Sequence, residues 1–302
     1  METLPRPFPP KFITVLDDVL KEEEKQRGPS KDFRHHPSSA SNVLEAGSKW
    51  SDKGESVTGA CLRNIFYRAT NQPETNPKKM STKLQAGFGD AIHGWLLSKL
   101  QKSKKLTIQS ESAGKVTVEP LTNIVSFRLD GLVTYQGDMG GLEIKTSQNF
   151  GLARMLKKGG PRPYDILQVM TYFATNPLIR WFALVYVCRD TGFWVEYHMW
   201  RDPKTGKFML EGIYPEKQPE SIEGLTFEGV VDRWKAVEAY VANKELPPRD
   251  YQAVLNKDGE VTDKRTKNGV DYETDFRCKY CEFQTHCWSL PDALEKSKKV
   301  GV

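Results

Sequence analysis

The sequence predicts an α/β fold, and three observations predict it. Apolar residues recur at helical spacing early in the chain, as Leu62, Ile65 and Phe66 in one segment and Ile92, Leu96, Leu97 and Leu100 in another. Stretches rich in β-branched residues then fill the middle, and helical spacing returns over 230–243. Helices before and after a central block of strands bury both kinds of apolar face most simply as an α/β sandwich.

Each element has its own signal. Residues 1–10 are proline-rich and read as irregular. Val15, Leu16, Val19 and Leu20 share one face, predicting an amphipathic helix over 12–26 that ends before Gly28-Pro29. Residues 28–60, rich in Ser, Gly and Lys, read mostly as loop. A helix starts near Cys61, a polar loop with two prolines covers 71–82, and a helix covers 85–100. Strands are expected over 116–119, 124–135 and 141–146. A helix over 165–174 follows Pro161 and Pro163. Strands over 181–189 and 193–201 are joined at Asp190-Thr191-Gly192, a hairpin signal. The 230–243 helix is closed by Pro247-Pro248; then come a polar loop over 249–275, a cysteine-rich knuckle and a basic tail.

Composition narrows the function classes. The chain has 302 residues, 27% charged and 38% hydrophobic, enough for one large core with additions. No apolar run of about 18 residues exists, so no membrane span is expected. Asp17 and Asp18 interrupt the first apolar stretch, so no export signal is read there and a cytoplasmic location is the expectation. No G-x-x-x-x-G-K-[ST] motif occurs, which excludes a fused P-loop motor. The net charge of +5 permits nucleic-acid binding without establishing it. Basic residues cluster at Lys99, Lys102, Lys104 and Lys105, at Lys157, Lys158 and Arg162, and at Lys257, Lys264, Arg265 and Lys267; any one cluster alone reads as a solvated face.

The chemistry concentrates in Phe127-Arg128-Leu129-Asp130-Gly131 and Gly141-Leu142-Glu143-Ile144-Lys145. Glu143 and Lys145, two apart on a strand, point to one face. A two-residue loop at Gly137-Asp138 would set Asp130 directly opposite Lys145, with Glu143 diagonal to it. Clustered carboxylates repel unless a cation sits between them, and oxygen ligands suit Mg²⁺ or Mn²⁺. A short D…ExK pattern is common and reads equally as a surface hairpin with an ordinary Glu–Lys pair, but apolar Leu129, Leu142 and Ile144 suit a half-buried strand.

Asp130-Gly131 with Glu143-Ile144-Lys145 resembles the core motif of PD-(D/E)XK nucleases. Gly89-Asp90-Ala91-Ile92-His93 and Gln168-Val169-Met170-Thr171-Tyr172 are similar to the histidine and Q-x-x-x-Y motifs of the RecB-like branch, in the branch's order. That branch includes CRISPR-associated RecB-like nucleases, the AddB nuclease domain and exonuclease V. The resemblance implies a three-layer α/β/α restriction-endonuclease-like core with a mixed central sheet. It implies that His93, Asp130, Glu143 and the Ile144 carbonyl bind Mg²⁺ or Mn²⁺, and that Asp130, Glu143 and Lys145 are catalytic. Gln168 and Tyr172, sharing a helical face, would contact substrate.

Five cysteines without an export signal argue against a disulfide framework. Cys278, Cys281 and Cys287 form C-x₂-C-x₅-C, Cys61 lies far upstream, and Cys188 sits in an apolar strand as a buried structural thiol. Spacing alone leaves zinc the default, with His286 a competing ligand. One distant cysteine plus a tight C-terminal triple is similar to the iron–sulfur members of the RecB-like branch. The resemblance therefore implies a [4Fe–4S] cluster on Cys61, Cys278, Cys281 and Cys287, stapling the chain ends, with zinc the alternative.

On this reading 1–60 is an N-terminal extension, 61–290 the nuclease domain with its cluster and 291–302 a basic tail. The function implied is a metal-dependent deoxyribonuclease acting on single-stranded DNA ends in recombination, repair or phage DNA processing. A CRISPR adaptation nuclease working with a protein partner, and a non-cleaving iron–sulfur or zinc nucleic-acid-binding module, stand as alternatives.

Overall fold

A seven-stranded mixed sheet organises the computed structural model, which describes residues 33–44, 56–256, 260–267 and 270–290 together with Glu22 and Asp258. Ahead of that sheet, β1 (Ser41–Leu44) and β2 (Ser56–Gly59) pair with each other, and α1 (Leu62–Ala69) follows them. The strands of the large sheet lie in chain order: β3 (Thr107–Val116), β4 (Val125–Tyr135), β5 (Asp138–Ser147), β6 (Trp181–Cys188), β7 (Trp194–Arg201), β8 (Phe208–Tyr214) and β9 (Glu216–Ser221). Every pairing in it is antiparallel except β5 with β6. Parallel neighbours need a crossover. After α2 (Met80–Leu100) has led into β3, the chain makes that crossover through α3 (Asn149–Lys157) and α4 (Pro163–Thr175).

Helices cover both faces. On one, α2 lays Leu97 against Ile108, Val133, Leu142, Ile144 and Val185. On the other, α4 and α5 (Phe227–Asn243) bury Ile166, Leu167, Met170 and Trp234 against Leu129, Phe182, Leu184 and Tyr186. Strand β6 shows the alternation that feeds both layers: Phe182, Leu184 and Tyr186 face α4, while Ala183, Val185 and Val187 face α2. Each such Val, Leu, Ile, Met or Phe side chain contributes roughly 1.5–3 kcal/mol when removed from water. Cys188 is buried in the α4-side core, where a structural thiol was expected. Among the described residues no helix is long and apolar enough to cross a membrane.

The structure departs from the sequence expectations at several elements. The helix expected over 12–26 lies outside the described residues, Glu22 apart. Of the strand expected over 116–119 only Val116 belongs to a strand, as the last residue of β3; Thr117 and Val118 lie outside it and Glu119-Pro120 turns. Strands β1 and β2 occupy part of the stretch read as loop. Four short strands occupy 249–275: β10 (Val254–Leu255), β11 (Val261–Thr262), β12 (Lys264–Lys267) and β13 (Val270–Glu273). Helix α3 and the β8–β9 hairpin carried no recognised signal. The residues of β9 are nearly all exposed, and Glu216-Lys217-Gln218-Pro219 has the composition of a turn.

Candidate active site and cysteine cavity

The β4–β5 turn sets the site's register. Gln136 and Gly137 both hold positive φ, 50° and 89°, as a two-residue type I′ turn requires. Tyr135 therefore pairs with Asp138, and the ladder runs to Gly131 opposite Leu142. The loop thus lies one residue earlier than the Gly137-Asp138 expected, and the corrected register brings Asp130 level with Glu143, not with Lys145. The shift moves the partner by two residues, which keeps the face.

The ladder ends at Asp130. Leu129 packs in the α4-side core, whereas a side chain at Gly131 would meet Leu97 and Ile108 on the α2 side. The strand therefore turns over between them. Asp130 Oδ2 accepts the Ile144 backbone N–H at 2.7 Å, replacing a ladder bond. From above, α2 approaches β5 closely: a Cβ on Gly89 would stand 3.1 Å from Thr146 Oγ1. That approach brings His93 Nδ1 to 3.6 Å from Asp130 Oδ1.

On the α4 side, Lys145 Nζ donates to Glu143 Oε1 at 2.6 Å and to Gln168 Oε1 at 2.8 Å. Gln168 Nε2 donates to Glu143 Oε1 at 2.9 Å and to the Tyr172 hydroxyl at 2.8 Å. The Tyr172 hydroxyl donates onward to the Arg128 carbonyl at 2.9 Å, and its ring stacks on Phe182. Gln168 and Tyr172 are thus buried and turned toward the Glu143–Lys145 pair; as placed, neither offers an open face for a base.

Sequence reasoning missed Asp165. This buried carboxylate lies 3.8 Å from Lys145 Nζ and accepts the Tyr186 hydroxyl at 2.7 Å. Its position three residues before Gln168 on α4 was the available signal, since such residues share a helical face. Arg162, read only as part of a basic cluster, donates to Ser147 Oγ at 2.9 Å and to the Tyr164 hydroxyl at 3.0 Å beside it.

Charge around Lys145 is unbalanced. Burial is the main force raising the Glu143 carboxyl to about 7; Lys145 pulls it down, while Asp130 and Asp165 push it up. Burial acts against the Lys145 ammonium, but Glu143 and Asp165 outweigh it and hold its pKa above the ordinary lysine value. Glu143 Oε2 is buried without a hydrogen-bond partner. Such an atom costs free energy unless a proton or cation meets it. Among the described residues, no group of three or more His, Cys, Asp or Glu side chains forms a ready-made metal site.

The second cluster lies where the C-terminal quarter meets α1. Cys61, Cys278, Cys281 and Cys287 line one cavity of about 340 Å³ with Arg63 and Arg249. All four thiols are free of disulfides. The cavity walls are α1 and the short helices α6 (Phe276–Lys279) and α7 (Gln284–Ser289). Asp250 accepts the Leu62 N–H at 2.6 Å, neutralising the start of α1, and pairs with Arg233. Arg68 and Glu282 pair across α1 and the knuckle. Asn64 Nδ2 approaches Cys281 Sγ at 3.6 Å and Arg63 Nη1 approaches Cys287 Sγ at 3.8 Å. Burial raises the Cys61 thiol to about 11, with Asp250 adding to it, and burial likewise raises Cys278 and Cys281. Those three are therefore neutral thiols at neutral pH until something displaces their protons.

No family model matches the chain, and no curated protein matches it. Solved structures do show a likeness. The crystal structure of SSO0001 matches with a TM-score of 0.47 at 14% identity over 91% of this chain and 97% of that one. LHK-Exo in complex with dAMP matches with a TM-score of 0.37 at 16% identity over 61% of this chain and 78% of that one. At these scores neither likeness carries the functional reading, which rests on the site alone.

Proposed function

We propose that the chain is a metal-dependent deoxyribonuclease of the RecB-like PD-(D/E)XK type, acting on single-stranded DNA ends, with a restriction-endonuclease-like core and an iron–sulfur cluster. One observation carries the reading: Asp130, Glu143, Lys145 and Gln168 converge where the β4–β5 ladder stops, with one oxygen of Glu143 left unmatched.

The donor set fits a hard divalent cation. Two carboxylates, an imidazole and a backbone carbonyl suit Mg²⁺ or Mn²⁺, and the unmatched Glu143 Oε2 is a ligand atom in want of a positive charge. A cation held by His93, Asp130, Glu143 and the Ile144 carbonyl would polarise the phosphodiester and activate a water. The chain's own contribution is positional. Gln168 holds both Lys145 and Glu143. Asp165 offers Lys145 a second counter-charge when Glu143 turns to other work. Lys145 stays protonated and, beside a phosphate at the cation, would offset the charge that grows there.

The four cysteines fit a cluster. They line a single cavity, form no disulfide and have two arginines beside them to offset thiolate charge. Bound there, a [4Fe–4S] cluster would tie α1 to the C-terminal knuckle, and zinc would serve the same end.

The test is digestion of end-labelled single-stranded DNA by anaerobically purified protein with Mg²⁺ or Mn²⁺. Glu143→Ala and Lys145→Ala should each lower the rate by at least on the order of 100-fold. Equal activity in the folded variants, or none in a folded, cluster-loaded wild type, would reject the assignment.

A further inference from the structure

Helix α1 turns hydrogen-bond donors toward the cysteine cavity: Arg63, Asn64 and Tyr67 all line it. Tyr67 comes four residues after Arg63 and three after Asn64, spacings that share a helix face. Cys281 and Cys287 line the same cavity from the C-terminal knuckle, so donors and sulfurs meet across it.

Each donor has a fixed direction. Arg63 donates from Nε to the Pro247 carbonyl at 2.8 Å, which holds the guanidinium with Nη1 3.8 Å from Cys287 Sγ. Asn64 Oδ1 accepts from Arg68 Nε at 3.1 Å, and Arg68 is itself held by Glu282 of the knuckle. With the amide oxygen so engaged, it is the N–H₂ end that lies 3.6 Å from Cys281 Sγ. Tyr67 is 3% exposed and packs in one cluster with Cys281 and Cys287, yet its hydroxyl has no hydrogen-bond partner. Burial raises the pKa of that hydroxyl, and the neighbouring Cys287 raises it further.

Neutral thiols account for little of this. A thiol sulfur is a weak acceptor, and interiors seldom leave a buried hydroxyl unmet. Thiolate and sulfide sulfurs carry negative charge and accept such bonds more strongly. A helix face that directs donors at two of the four sulfurs suits a negatively charged group held by them.

We propose that Asn64 and Tyr67, assisted by Arg63, donate hydrogen bonds to the sulfurs of the bound iron–sulfur cluster and thereby raise its reduction potential. Neither residue is a ligand; both act through the sulfurs. The sign follows from charge. Uptake of one electron adds one negative charge, with no bond made or broken, and N–H and O–H donors stabilise the reduced form more than the oxidised one. The inference deepens the iron–sulfur reading of the cavity, rests on it, and is independent of DNA cleavage.

The test is a mediated dithionite titration of the full chain, purified without oxygen and assayed for iron and sulfide, with the reduced cluster followed by electron paramagnetic resonance. Tyr67→Phe keeps the ring and removes one donor; Asn64→Leu removes the other. Each should shift the one-electron equilibrium toward the oxidised form about 3- to 10-fold, a fall of roughly 30–60 mV at about 59 mV per tenfold. Tyr251→Phe is the control. Tyr251 lines the same cavity, but its hydroxyl donates to the Gly59 carbonyl at 2.7 Å, so this variant should keep the wild-type potential. Equal potentials in wild type, Tyr67→Phe and Asn64→Leu overturn the proposal. So does an equal fall in Tyr251→Phe, which would trace the effect to the polarity of the cavity at large. If Asn64→Leu holds no cluster, Tyr67→Phe decides alone. Absence of iron from wild type would reject the cluster reading and this inference together; bound iron with unshifted potentials would reject the inference only.

Discussion

Asp130 Oδ2 accepts the N–H of Ile144 at 2.7 Å, at the point where the β4–β5 ladder stops. One carboxylate therefore closes the sheet and faces His93 with its other oxygen. Asp130→Ala should lose cleavage and also lose about 1–3 kcal/mol of stability, the cost of an unmet backbone donor. Asp130→Asn keeps an acceptor for Ile144, so it should unfold near wild type in urea while cleavage is still lost. Equal destabilisation by both variants would show that the Ile144 bond is not the anchor.

Glu143 gives a pH signature. Its carboxyl is raised by burial to about 7 from an ordinary value of 4.5. The folded state then binds this proton more tightly than the unfolded state does. The associated stability is fully present below pH 4.5 and is lost as pH rises through about 7. Urea unfolding of metal-free protein across that window should show stability falling with pH from this group. Glu143→Gln should flatten that segment; an unchanged slope would remove Glu143 as its source. Added Mg²⁺ or Mn²⁺ competes with the proton, so its affinity should rise with pH over the same window.

Tyr172 separates a scaffold role from a substrate role. Its hydroxyl accepts from Gln168 and donates to Arg128 inside the protein. Tyr172→Phe should cost about 1–2 kcal/mol of stability and leave the KM for DNA unchanged. A raised KM at unchanged stability would instead assign it to substrate contact.

The cysteine cavity makes a compositional prediction. Protein purified without oxygen should carry iron and sulfide and absorb visible light, whereas zinc would leave it colourless. Cys61→Ser and Cys287→Ser should each reduce the metal content and loosen α1 from the C-terminal knuckle. Limited proteolysis would then cut within 249–275 faster than in wild type. Full metal content in both variants would exclude these cysteines as ligands.

Much of this site was legible because local patterns coincided with strong tertiary ones. The apolar flanks of Glu143 and Lys145 marked a half-buried strand, and the spacing of Leu96, Leu97 and Leu100 marked α2, though the helix begins at Met80, inside the stretch expected as loop. The register was less legible: Gln136-Gly137 and Gly137-Asp138 are both plausible tight turns, and only tertiary packing chooses between them. Asp165 escaped notice because a lone acid in a helix's first turn is ordinary in sequence; its meaning comes from Lys145 arriving from another strand. Strand β9 escaped because an exposed edge strand needs no apolar alternation. The roles of Gln168 and Tyr172 were read from a motif, and the motif did not tell which way their side chains turn.

The cysteine cavity has a consequence for biosynthesis. Cys61 leaves the ribosome before Cys287, and the walls made by α6 and α7 do not exist until Cys287 has followed. At typical elongation rates that interval is roughly 10–45 s. For all that time the upstream thiol has no partners, while the large sheet between is already able to form. A cluster of the kind proposed could therefore gain its fourth ligand only after Cys287 has emerged, which would make its insertion one of the last steps in building this fold.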